Sequence, residues 1–433
     1  MTTAPTPAAD RRALLQRRTL GTLVGSQMLG GVGLSAGVAV GALLAEEVSG
    51  SAELAGLGGT FQVLGAAVIA VPMARVMAAR GRRPGLVLGY VLAAVGAVGL
   101  VVAGVVGSFP LLLVSSLLFG GATASNSQAR YAAADLALPA RRARDLSIVV
   151  WSTTVGSVVG PNLVGPSAPV ARAFGLPRLT GPFVFSLVGL VLAIVVVAVL
   201  LRPDPLAEAR RLAVDEGDEP GEPTHGSVVR GLRVALTHPV ARLGVLTLAL
   251  GHGVMVSVMV MTPLHMAHGD AQLSVIGLVI SIHILGMYAL SPLTGWAVDR
   301  LGGRVVALLG SVVLVLATLL AALSPMGESG RLVAGLFLLG VGWSCTLVAG
   351  SALVTGAVAA AERPGVQGAS DLVMGLAAGG GGAVAGVIVD RVDFHALALT
   401  SLGVALVIGL AAVGTRAPAT PEPVPEPAPR SPL

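Results

Sequence analysis

The stretch GWAVDRLGGR, residues 295–304, decides how the rest of the chain is read. It is a short charged interruption between two apolar runs, near 273–296 and 304–324. Gly302 and Gly303 permit a tight turn there. Asp299 is placed either to pair with an arginine or to cap the positive N-terminus of a neighbouring helix. A degraded copy, ARVMAARGRR, occupies 74–83. In it Ala74, Ala78 and Ala79 stand where the later copy has Gly295, Asp299 and Arg300, while Gly81, Arg82 and Arg83 are kept. Any charge latch therefore rests on Asp299 more than on the earlier loop. The two stretches lie 221 residues apart, position 74 against position 295. ARRARDLSIVVW around Asp145 and GVQGASDLVMG around Asp371 repeat at nearly the same spacing, 226 residues. Two landmarks at one spacing predict a duplicated six-helix unit.

Composition agrees. Of 433 residues 54% are hydrophobic and 11% charged, against roughly 25% charged in soluble domains. Mean hydropathy is +0.87. Crossing a bilayer takes about 20 apolar residues, and only helices satisfy their own backbone in lipid within a single segment. Twelve such spans are expected, near 19–45, 54–74, 85–107, 109–130, 146–168 and 182–201, then 241–264, 273–296, 304–324, 331–355, 368–389 and 395–415. The expected organisation is a tail (1–18), a six-helix bundle (19–201), a charged linker (202–240), a second bundle (241–415) and a Pro-rich tail (416–433). All 27 basic residues are Arg. With the N-terminus inside, 23 lie on inner segments and four outside, namely Arg172, Arg178, Arg331 and Arg391. By the positive-inside rule both termini and the linker are expected in the cytoplasm, with the chain in the inner (plasma) membrane. The net charge of +5 comes from these membrane-flanking arginines and signals no nucleic-acid partner. One cysteine, Cys345, excludes an intrachain disulfide.

On these residues the chain resembles the major facilitator superfamily. Gly295, Asp299, Arg300, Gly302 and Arg304 match its loop signature G-x-x-x-D-R-x-G-R/G-R, and the likeness extends over 19–415. The resemblance implies an all-α membrane fold of twelve helices in two pseudo-symmetric bundles that rock about a central site. It also implies a secondary transporter with no cofactor, a chain working as a monomer, and the bilayer and a small-molecule or metal-ion substrate as partners. The fifth span carries GSVVGPNLVG, with Gly156, Gly160, Pro161 and Gly165. It is close to a pattern of superfamily exporters, and its small residues equally suit plain helix packing. Pro161 is expected to kink the span.

No Asp, Glu or Arg falls in the middle of any expected span; the ionisable groups expected at depth are His252 and His283, the candidate proton carriers. Around them GHGVMVSVMVMTPLHMAHGD (251–270) and SIHILGMYAL (281–290) concentrate sulfur and imidazole. His252, Met255 and Met259 share a helical face, as do His283 and Met287. The spacing resembles the M-x-x-x-M and H-x-x-x-M signatures of the copper-importing, CcoA-like branch of the superfamily. That resemblance implies a soft-metal site at Met255, Met259, His283 and Met287, since thioether and imidazole select soft ions. Methionine is also the usual gap-filler of mobile interfaces, so packing remains the competing reading. His265, Met266 and His268 stand at the outer mouth of the seventh span. Cys345, Gln27, Gln62, Asn126, Gln128 and Asn162 are further candidates for lining a cavity or bonding across helices. The clustered nucleophile, acid and base of an enzyme are missing, as is the output domain of a receptor. Within transport, soft-metal import competes with export or import of an organic molecule, drug-like or a vitamin such as riboflavin.

Overall fold

Long runs of Ala, Val, Leu and Gly become helices, and the computed structural model describes residues 7–215, 227–326 and 330–415 of this all-α chain. In the first half α1 is Pro7–Ser49, α2 Leu57–Arg80, α3 Arg82–Val106, α4 Phe109–Asp135, α5 Arg142–Asn162, α6 Val164–Ala173 and α7 Gly181–Leu200. Two short helices follow, α8 (Pro205–Asp215) and α9 (Val228–Thr237). The second half has α10 (Pro239–Ala267), α11 (Leu273–Tyr288), α12 (Ser291–Leu301), α13 (Gly303–Ala322), α14 (Gly330–Gly356), α15 (Arg363–Arg391) and α16 (Phe394–Gly414). Among the described residues eleven spans are long and apolar enough to cross a membrane, and twelve when α5 and α6 count as one bent span. That span turns by 55° just past Pro161, where proline removes a helix donor and crowds the preceding turn.

Each half has its own core. Leu23, Met73, Tyr90, Phe119 and Phe183 anchor the first, and Leu248, Leu314, Leu339, Phe394 and Ile408 the second. The expected tail over 1–18 is shorter than that, since α1 already begins at Pro7 and residues 7–18 continue the first span. The linker, expected only to connect, carries α8 and α9. Residues 1–6, 216–226 and the Pro-rich tail 416–433 lie outside the described residues. The end of the bundle that bears α8 and α9 is termed the linker face below.

Glycine decides the close approaches. Gly156 of α5 lies against the backbone of Gly31 in α1, and Gly160 against Ser35 and Ala36, so a Cβ at either would clash. Gly165 meets nothing within 4 Å. The helix-packing reading of the fifth span thus holds for its first two glycines and not for its last. Gly156→Val is expected to cost about 1–3 kcal/mol through overpacking and to lower the thermal midpoint in detergent. Gly165→Ala should leave that midpoint unchanged.

Candidate functional site: a buried polar seam between the halves

Helix α4 starts on a proline in its first turn, a favoured position. Alanines then carry it beyond the apolar window to Asp135. This extension brings Gln128, Arg130 and Asp135 into the protein interior at the linker face, all three buried. Arg82 joins them from the first turn of α3, entered through Gly81 at φ 94°. Its side chain is wholly buried. Arg82 grips Asp135 with two bonds, Nε to Oδ2 at 2.7 Å and Nη2 to Oδ1 at 3.2 Å. It also donates to Gln128 Oε1 at 3.2 Å and, across the interface, to Gln367 Oε1 of α15 at 2.6 Å. Gln128 Nε2 donates to Asp371 Oδ2 at 2.7 Å, and Arg130 Nη2 to Asp371 Oδ1 at 2.7 Å. Arg130 Nε reaches Ser351 of α14 at 3.1 Å. Arg363 Nη1 lies 3.6 Å from Asp135. Two carboxylates and three guanidiniums thus form one connected network spanning both halves.

The expectation that no charge is buried within the spans is therefore corrected. Hydropathy windows register what faces lipid. Arg82, Arg130, Asp135, Arg363 and Asp371 face one another instead, so each charge has partners where water is excluded. Sequence reading found Asp371 only as a repeat landmark and named Gln128 without its role. The available signal was complementary: an acid and a base on α4, with bases and an acid opening α3 and α15, all at the same end of their helices.

A second contact joins α12 to the start of α5. Asp299 accepts the backbone N–H groups of Ala143 and Arg144, both at 2.9 Å. Of the two roles open to Asp299, the structure realises the cap. Gly295 lies against Ser147, and Ser291 Oγ donates to Ser147 O at 3.1 Å. In the same signature Gly302 turns at φ 86°, Arg300 sits 5.4 Å over the Trp296 ring, and Arg304 donates to the terminal carbonyls of α16 at Ala412 and Val413. The duplication reappears here as geometry: Ala74 of α2 lies against Gly368 of α15. Position 74 precedes 295 by 221 residues, and 147 precedes 368 by the same 221. The degraded copy has a physical reason. The counterpart of Asp299 is Ala78, and the counterpart of Ala143 is Pro364, which has no N–H to cap. Arg210 of α8 donates to Ala78 O instead, at 2.9 Å.

At mid-depth the halves carry neutral groups. Gln27 donates to Thr153 at 2.8 Å, and Tyr90 to Asn126 at 2.9 Å. Trp343 Nε1 donates to His252 Nδ1 at 2.7 Å, and Tyr288 meets the Trp343 ring edge-on at 5.4 Å. Protonating His252 at Nδ1 would break its indole bond. His283 Nδ1 lies 2.8 Å from Leu336 O, which accepts its proton and leaves Nε2 as a buried lone pair without a partner. Met255 and Met287 are buried and Met259 is half-buried. The two helices bearing the proposed soft ligands scarcely touch; α10 and α11 each pack along α14. Among the described residues no group of three or more His, Cys, Asp or Glu could hold a metal. Cys345 packs beside Gly310 of α13. Asn162 is exposed and bonds within its own helix to Val158 O. His265 stacks on Phe394 at 4.1 Å, Met266 is buried, and His268 is exposed.

Comparison with known proteins accords with this geometry. The family model for the Major Facilitator Superfamily matches residues 23–275 and 257–433. The uncharacterised MFS-type transporter YddS of Bacillus subtilis is 37% identical over 399 residues, covering 92% of this chain and 91% of its own. The riboflavin transporter RfnT of Brucella anthropi is 29% identical over 371 residues, covering 84% and 86%. Among solved structures, the human organic anion transporter MFSD10 superposes with a TM-score of 0.73 at 18% identity, covering 92% of this chain and 99% of that one. That last likeness is one of fold.

Asp371→Asn leaves Arg130 buried beside a neutral group. It is expected to weaken the shut seam by about 3–5 kcal/mol, read as increased alkylation of single cysteines placed at the linker-face ends of α4 and α15. Thermal stability should fall much less, because neither half's apolar core is touched.

Proposed function

The chain belongs to the major facilitator superfamily, and from that premise we propose that it is a secondary active transporter moving a small organic solute by alternating access. One observation carries the reading. Hydrogen bonds and ion pairs between the halves gather at the linker face: Arg130 with Asp371, Arg82 with Gln367, Arg363 with Asp135, and Asp299 with the α5 N-terminus. A pair of bundles latched at one end corresponds to one of the two states such a transporter visits. The arginine distribution assigns the latched end to the cytoplasm and the chain to the plasma membrane. The site would then open outward in this state.

The mid-depth groups support the cargo class. Gln27, Thr153, Tyr90 and Asn126 from one half, with His252, Trp343 and Tyr288 from the other, are neutral hydrogen-bonding and aromatic side chains. They suit a planar, uncharged, polar solute, and the riboflavin transporter among the relatives moves cargo of that kind. A soft metal is the second reading, favoured by His283. A metal-binding imidazole commonly donates its other N–H to a carbonyl, and His283 does so to Leu336 while its Nε2 stays free. Met255, Met259 and Met287 would have to supply sulfur by rotamer change around α14.

Proteoliposome uptake of riboflavin and of copper(I) separates the two. Uptake of riboflavin, unaffected by Met255→Leu with Met259→Leu, supports the organic reading. Copper uptake abolished by that double change at unchanged abundance supports the metal. Asp299→Asn keeps the shape but removes the charge from a helix cap, a change of about 1–2 kcal/mol. It is expected to slow transport of the true cargo about 5- to 30-fold with the protein still in the membrane, and normal transport would defeat the latch.

A further inference from the structure

Asp145 repeats Asp371 in the duplicated sequence, yet the two carboxylates live differently. Asp371 meets Arg130 of the opposite half. Asp145, in the first turn of α5, is buried within its own half, and its side-chain hydrogen-bond partner is the neutral amide of Gln16. Gln16 Nε2 donates to Asp145 Oδ2 at 2.6 Å and to Ala133 O at 2.7 Å. Both neighbours accept, so the hydrogen-bond network assigns the nitrogen to that side and the oxygen to the other. That oxygen, Gln16 Oε1, is buried with no donor. Two touching side chains thus hold a buried carboxylate with no bonded cation and a buried carbonyl with no donor. Both conditions are costly. A single proton on Asp145 addresses both, because it neutralises the carboxylate and supplies an O–H donor next to the orphan oxygen, as in an acid–amide pair.

The groups around Asp145 are few. From α1 come Gln16 and, one turn earlier, Arg12, whose Nε is bonded to Leu136 O. From α4 comes the Ala133 carbonyl. From α12 comes the carboxylate of Asp299, occupied with the N–H groups of Ala143 and Arg144. On its own helix and the turn before it, Arg144 and Arg141 are exposed, and among the described residues neither forms an ion pair with Asp145. Asp299 links this site to conformation. It fills the positive end of α5, which would otherwise favour an ionised Asp145.

We propose that Asp145 is a proton-binding site coupled to the conformational cycle, protonated while the linker face is shut and ionised when it opens. The proposal rests on the alternating-access reading. When the halves part, Asp299 leaves with α12, and the freed N–H groups and entering water stabilise the carboxylate. The proton passes from Asp145 to linker-face water, giving hydronium, and closure takes one proton back. The shut state binds the proton more tightly, so it is most populated at low pH. Its ratio to the open state falls as pH rises, by up to tenfold per pH unit, the limit for one proton.

The test uses the full chain in lipid nanodiscs. Infrared difference spectra after a pH jump are expected to contain the carbonyl stretch of a protonated aspartic acid, lost in Asp145→Asn. Spin labels on exposed linker-face positions, Ala79→Cys and Leu301→Cys in a Cys345→Ala background, are expected to move apart as pH rises. With Asp145→Asn added they should stay close at every pH. Should Asp145→Asn fail to fold, Gln16→Leu serves: losing the amide should shift the same carbonyl band to higher frequency. Absence of the band, its survival in Asp145→Asn, or its indifference to Gln16→Leu would overturn the proposal. So would an unaltered pH response of the label distance in Asp145→Asn. Labels that separate on addition of cargo but not on raising pH would sink the proton site and leave the transport reading standing.

Discussion

Five charged side chains buried at one end of an apolar bundle constrain everything else in this protein. Arg82, Arg130, Asp135, Arg363 and Asp371 are tolerable there because each finds an opposite charge or a side-chain amide. Some of those partners belong to the other half. The halves therefore cannot separate at this end without exposing unmatched charge, and breaking a buried pair by removing one partner typically costs about 3–5 kcal/mol. In a transporter, water entering the opening gap offsets part of that cost by solvating the freed groups. The same chemistry that seals the seam thus allows it to open only when water replaces the protein partners.

Around this seam the duplicated architecture supplies two hinge-like contacts of unequal character. One, α12 on α5, is closed by an acid capping a helix through Ala143 and Arg144. The other, α2 on α15, is closed by small residues, with Ala67 against Gly375 and Ala74 against Gly368. The inequality follows from Pro364. Where a helix begins with a residue that has no N–H, a capping carboxylate gains little, and the earlier loop has alanine in its place. The arginine of α8 at Ala78 O and the helix α9, whose Val228 packs between Ala74 and Ala369, complete that side.

Much of the fold was legible in the sequence because lipid leaves the backbone few options. Length and apolar runs give the spans, and GWAVDRLGGR with its weak copy gives the duplication. Pro161 marked the bend in the fifth span. The seam was not legible by the same means. Arg130 and Asp371 are 241 positions apart, and a window average hides a charge at the end of a helix whatever faces it. Asp299 was visible, but its choice of backbone over arginine depended on where α5 begins. The methionine and histidine spacings were equally visible. Whether they converge depends on packing, and α10 and α11 meet α14 rather than each other.

The central claim is that the linker face must open for cargo to cross. A disulfide across the small-residue seam tests it most directly, with Ala67→Cys and Gly375→Cys in a Cys345→Ala background. A Cβ built on Gly375 would stand 3.1 Å from that of Ala67, close to the separation a disulfide bridges. The account predicts that oxidation forms the crosslink, stops transport into proteoliposomes, and that reduction restores it. Full transport by the crosslinked protein would contradict it.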